Sequence, residues 1–152
     1  MRIPITIHVP GIAAPGGSKK AFPMFGPGKV WKRNIITDAS GAKGKDWRAR
    51  VAIFARQAML GDPLFDSALR VTFSFTVRRP AGHLNAKGNL KPSARPHPTT
   101  KPDVLKLARA VEDALTGIVW VDDALIVTEI IRKRYGTEPG VTIYVEEEEN
   151  EF

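Results

Sequence analysis

Residues 101–127 read KPDVLKLARAVEDALTGIVWVDDALIV, and helix, turn and strand signals follow one another within them. Val104, Leu107, Ala108, Val111 and Leu115 recur at the spacing of one helical face, which predicts a helix over about 104–116. Asp103 stands where an N-cap belongs, and Gly117 ends the helix. Ile118-Val119-Trp120 then leads into Asp122-Asp123, and Leu125 to Arg134 reads as a strand. A helix of this length that folds back into a strand is expected to bring Asp103, Asp122 and Asp123 together.

Outward from this stretch the pattern stays regular. Downstream, Glu138-Pro139-Gly140 is a turn and Val141 to Val145 a returning strand. Upstream, Leu69, Val71, Phe73, Phe75 and Val77 alternate with polar residues, a half-buried strand. Between that strand and the helix, residues 79–101 carry Pro80, Gly82, Gly88, Pro92, Pro96 and Pro98 and are expected as a long, basic, DNA-contacting loop; a passive insertion is the bland alternative. From about 44 to 60, Trp47, Val51, Phe54, Ala55, Ala58 and Met59 share one helical face, and Gly61 stops that helix. Nine Gly and Pro between Pro10 and Gly28 predict a loop over 10–29, with Ser18-Lys19-Lys20 inside it. Ile3, Ile5, Ile7 and Val9 alternate with Pro4, Thr6 and His8, an edge strand. The order β-α-β-α-β-β implies an α/β protein of the α+β kind, a mixed sheet with two main helices packed on it. One domain is expected over 1–145, followed by an acidic tail, 146–152.

Composition narrows the chemistry. There is no cysteine, so disulfides, thiolate metal sites and cysteine nucleophiles are excluded. His8, His83 and His97 are too scattered for a zinc site. Carboxylates remain as ligands for a metal, and their oxygens favour Mg²⁺, with Mn²⁺ as a substitute. No apolar run is long enough to span a membrane, and the N-terminus alternates rather than forming a signal-peptide block, so a cytoplasmic protein is expected. The net charge of +7 favours a polyanionic partner. That charge is concentrated: residues 87–109 hold Lys87, Lys91, Arg95, Lys101, Lys106 and Arg109 against one acid, Asp103. Glu146 to Glu149 and Glu151 reverse the sign at the end of the chain.

Asp103, Asp122 and Asp123 in a basic chain suit phosphodiester hydrolysis, because carboxylates hold the metal while surrounding cations keep the DNA close. Each residue also has a plain structural reading. Asp103 suffices as an N-cap. Asp122-Asp123 suffices as a turn between two elements.

The spaced segments Lys101-Pro102-Asp103, Asp113-Ala114-Leu115-Thr116-Gly117 and Val119-Trp120-Val121-Asp122-Asp123 resemble the signature of the RusA-like Holliday junction resolvases, the crossover junction endodeoxyribonucleases. The opening VPGIAAPGGSKKAF and the stretch ITDASGAKGKDWRARVA are similar to that family's first strand, basic loop and first helix. The resemblance implies a homodimeric, Mg²⁺-dependent endonuclease that cuts four-way junctions in DNA recombination and repair. Small resolvases of this kind commonly serve phage or prophage DNA. It implies catalytic and metal-binding roles for Asp103 and for Asp122 or Asp123. Lys101, Lys106, Lys19 and Lys20 are expected as DNA contacts, and Arg109 as a phosphate contact near the site.

One position departs from the pattern. The family places a second Asp two residues after the first, where this chain has Leu105. Leu105 falls on the polar side of the helix with Arg109, Glu112 and Thr116. Helical side chains lean toward the N-terminus, so Glu112 leans back toward the missing carboxylate and is the candidate replacement ligand. Its plain alternative is an ion pair with Arg109 or Lys106. The alternative function is a branched-DNA-binding protein that does not cut, its metal site left incomplete at Leu105.

Overall fold

The computed structural model describes residues 1–17, 19–38 and 41–151. In chain order the elements are β1 (Ile5–Pro10), β2 (Lys19–Phe25), β3 (Trp31–Asp38), α1 (Gly41–Met59), β4 (Leu69–Val77), α2 (Val104–Leu115), β5 (Ile126–Tyr135) and β6 (Gly140–Glu147). The main sheet has the order β1-β6-β4-β5, antiparallel except for the parallel pair β4–β5. Alternation in three strands builds its core face. Ile5, Val145 and Val71 stand in one row, Ile7, Ile143 and Phe73 in the next, Val9, Val141 and Phe75 in a third. The other face carries Thr6, His8, Thr72, Ser74, Thr142 and Tyr144.

The two helices cover the apolar rows. Trp47, Val51, Ala55 and Met59 of α1 and Leu107, Ala108, Val111 and Leu115 of α2 are buried in the same core as the strand residues. The predicted α+β arrangement, a mixed sheet carrying two helices, is the fold of this chain. At the end of α1 both Leu60 and Gly61 adopt left-handed backbone, φ +49° and +78°, which stops the helix where Gly61 predicts.

Three local expectations change. The predicted loop over 10–29 contains β2, which pairs with β3 as a separate two-stranded ribbon. The glycines that suggest a loop sit at its ends, and Pro23 is tolerated because a ribbon strand has an unpaired edge. The turn is made by Gly26–Gly28: Gly26 N–H donates to the Val30 carbonyl at 2.7 Å, and Gly28 has φ +72°. Second, β1 begins at Ile5, and Ile3 is exposed. Third, the 79–101 segment is organised by its own hydrogen bonds, with a short helical turn at Ala81–His83 and a bridge between Leu84 and Leu90. At the far end, Glu146 and Glu147 extend β6, and Glu148 pairs with Arg70 at 2.9 Å.

Candidate functional site

The segment from α2 to β5 is fixed by a buried tryptophan. Trp120 has no exposed surface, and its indole N–H donates to Thr116 Oγ1 at 3.1 Å. Thr116 in turn donates from both its backbone N–H and its hydroxyl to the Glu112 carbonyl, each at 3.0 Å. Phe65 clamps the same turn, donating to the Val119 carbonyl and accepting from Val121 N–H. The backbone is therefore pinned on both sides immediately before Asp122. Asp122 then caps a short helical turn, Asp123–Leu125: its Oδ1 accepts the Ala124 N–H at 2.8 Å. That N–H, followed by a hydrogen bond with Asp123, holds the Asp122 carboxyl below the usual carboxylate range.

Glu112 is half-buried on α2 and touches Glu129 of β5. Its pKa is pushed up to about 8, first by burial, then by the hydrogen bond and charge of Glu129, and then by the charges of Asp123 and Asp113. Two carboxyl groups in contact keep a proton between them because both cannot ionise cheaply. No ion pair joins Glu112 to Arg109 or Lys106 among the described residues; Lys106 instead stands 4.0 Å from Asp103.

Asp103 occupies the opposite end of α2. It is the N-cap, with Oδ1 accepting the Lys106 N–H at 2.9 Å. Nine residues separate it from Glu112, about 13 Å along the axis by the helical rise. The anticipated fold-back thus brings Glu112 and Asp123 together and leaves Asp103 at the other end of the helix. Leu105 is 67% exposed, a leucine on the polar side as its helical position predicts. Among the described residues no three His, Asp or Glu side chains are placed so as to hold a metal ion. The donors of the Glu112–Glu129–Asp123 group are carboxylate oxygens alone, the set that suits Mg²⁺ or Mn²⁺ in kind.

Two residues of β5 complete the surroundings, and sequence reading missed both. Glu129 lies opposite Val71 in the parallel register and Lys133 opposite Phe75, so both fall in the rows that face the helices. Lys133 Nζ donates to the carbonyls of Thr100 and Pro102, each at 2.8 Å, tying the start of α2 to the strand. The available signal was the alternation Val127-Glu129-Ile131-Lys133, which sets charges at positions where an edge strand meets a helix. Arg109 and Lys101 are exposed along the same edge. The Gly/Pro loop crosses α2 beside Arg109: Gly16 N–H donates to the Lys106 carbonyl at 2.8 Å, and a Cβ there would come within 3.2 Å of Ala110 N. The side chains of Lys19 and Lys20, predicted to contact DNA, lie outside the described residues, although their backbone begins β2.

This edge therefore presents an acidic group, a second carboxylate one helix length away, and cations between and around them. Among curated proteins, the chain is 40% identical over 50 residues to the Uncharacterized protein YqaN of Bacillus subtilis (strain 168). That match covers 33% of this chain and 35% of the relative's own length. The family model described as Endodeoxyribonuclease RusA matches residues 27–146, which include α1, α2, the Trp120 turn and every carboxylate discussed above. With most of its length matched in this way, the chain belongs to the RusA endodeoxyribonuclease family.

Proposed function

We propose that this protein is a structure-selective endonuclease that resolves Holliday junctions and related branched DNA by metal-assisted phosphodiester hydrolysis, acting as a homodimer. The observation that carries the reading is the contact of Glu112 with Glu129 beside Asp123, on a basic edge, in a chain of this family. Glu112, Glu129 and Asp123 are the residues assigned to the metal, with Asp122 beside them and Asp103 as the second acidic position along the scissile strand. When bound, Mg²⁺ or Mn²⁺ supplies an activated water and neutralises charge on the phosphate. The protein's own groups do the rest. Lys101, Lys106 and Arg109 hold the phosphates that the carboxylates would otherwise repel. Glu112 must release its proton before it can take up a cation, so metal uptake is coupled to pH.

The β2–β3 ribbon supports the dimer. It makes little contact with the rest of the described chain, yet exposes Phe22, Phe25, Trp31, Ile35 and Ile36. A two-stranded ribbon is marginal alone in water, and a second copy of the chain is the partner that would cover it. Two-fold symmetry also matches the two equivalent strands of a four-way junction.

Leu105 favours one competing reading, a protein that binds branched DNA without cutting it. Cleavage of a labelled four-way junction, with linear duplex of the same sequence as control, separates the two. The expected result is paired nicks in the junction with Mg²⁺ or Mn²⁺ and an uncut duplex. Binding without cutting in either metal, with cutting gained in Leu105→Asp, would establish the competing reading.

A further inference from the structure

The acidic group lies toward the start of β5, and the opposite end of that strand carries a second recess. There Gly136 N–H donates to the Val77 carbonyl at 3.0 Å, closing β4 against β5. The 79–98 segment folds back over this end and is held in shape. The Arg79 guanidinium lies 4.4 Å over the Tyr135 ring and donates to the Arg95 carbonyl at 2.6 Å. His83 meets the same ring edge-on at 5.6 Å. Asn85 Oδ1 accepts the N–H groups of Lys87 and Asn89, each at 3.0 Å. Lys91 N–H donates to the His83 carbonyl at 2.9 Å, which sets Leu84 and Leu90 side by side. Between this wall and the strand ends lies a cleft of about 640 Å³, lined by Leu84, Leu90, Tyr135, Arg78, Arg134 and His97 among others.

Its chemistry is two-sided. Leu84 and Leu90 are 37% and 54% exposed at the mouth, an apolar surface without a partner in the chain. Around them the charge has one sign: no Asp or Glu occurs between Val77 and Asp103, and among the described residues neither Arg78 nor Arg134 is in an ion pair. A simple anion needs no leucine wall, and an apolar ligand needs no arginines. A nucleotide presents both halves at once, a base with an apolar face and a phosphate beside it.

We propose that this cleft takes one unpaired nucleotide of a DNA strand, its base against Leu84, Leu90 and Tyr135 and its phosphates on Arg78 and Arg134. The inference rests on the reading of the protein as a branched-DNA nuclease and adds a source of selectivity to it, since a fully paired duplex has no free base to offer. From Glu129 to Tyr135 the strand runs about 20 Å. That corresponds to about six stacked nucleotides of one strand, so the cleft and the acidic group engage the same DNA at separate points.

The test uses the full chain at fixed salt, with a single-stranded 12-mer, the matched duplex, and a four-way junction carrying an unpaired 2-aminopurine at the branch. Leu84→Ser/Leu90→Ser alters two exposed side chains and leaves the core intact. It is expected to lower affinity for the single strand by about five-fold or more, to leave duplex affinity within about two-fold, and to abolish the 2-aminopurine emission change seen with the unmodified protein. Arg78→Ala/Arg134→Ala is expected to reduce the salt slope of single-strand binding by about two. Unchanged single-strand affinity in the leucine variant, or an equal loss for duplex, overturns the cleft assignment. So does tighter binding of an acidic peptide than of the 12-mer. If those results come from a protein that still cuts junctions, the cleft assignment falls alone; an unmodified protein that binds none of the three DNAs overturns the parent reading as well.

Discussion

Glu112 and Asp103 show how one residue type acquires different duties along a single helix. Asp103 has an exposed carboxylate whose structural work is done by one oxygen, Oδ1, on the Lys106 N–H. Asparagine keeps that acceptor and alanine does not. Asp103→Ala is therefore expected to cost about 1 kcal/mol of stability in urea unfolding, with Asp103→Asn near the unmodified protein. If Asp103 also serves the scissile strand, Asp103→Asn still loses junction cleavage; a fully active Asn variant would reduce Asp103 to a cap. Glu112 makes a different prediction. Its folded pKa, about 8, lies above the ordinary value of 4.5, so the folded state binds the extra proton between those limits. Its contribution to stability is full below about pH 4.5 and is lost as pH rises through about 8. Glu112→Gln, neutral at every pH, is expected to flatten that decline and to be the more stable protein at pH 9. Thermal unfolding from pH 5 to 9 checks this, and a parallel decline in the variant would place the titrating group elsewhere.

At the scale of elements, most of the fold was legible because its signals are periodic. The helical stripe of α2 and the alternation in β4 and β6 specify both type and buried face. The β2–β3 ribbon was not legible, because its strands bury no common face and Pro23 and the flanking glycines carry the signature of a loop. The site was half legible. Glu112 stood out through the misplaced Leu105, and Asp123 through its position after the Trp120 turn. Glu129 did not, since only the parallel register of β5 against β4 reveals that it faces α2. The same register gives Lys133 its place beneath the start of α2. Lys133→Met keeps the stem but loses both carbonyl contacts, and a stability loss of roughly 1–2 kcal/mol is expected in urea unfolding. No loss would mean that α2 holds its position by packing alone.

The whole molecule divides its charge and its apolar surface unevenly. Cations gather along the α2 edge and the 79–101 segment, while the exposed hydrophobic residues of the ribbon stand apart from the sheet. Light scattering at micromolar concentration is expected to give twice the chain mass, and Phe25→Glu/Trp31→Glu a monomer. A monomeric unmodified protein, with and without junction DNA, would remove the dimer from the account. The central claim is that the Glu112–Glu129–Asp123 group performs the cutting rather than the binding. The direct measurement is single-turnover cleavage of a four-way junction by Glu112→Gln beside the unmodified chain, with junction affinity measured on the same preparations. The account predicts a cleavage rate reduced about a hundred-fold or more with affinity within about two-fold. A Glu112→Gln variant that cuts at the unmodified rate in Mg²⁺ would contradict it.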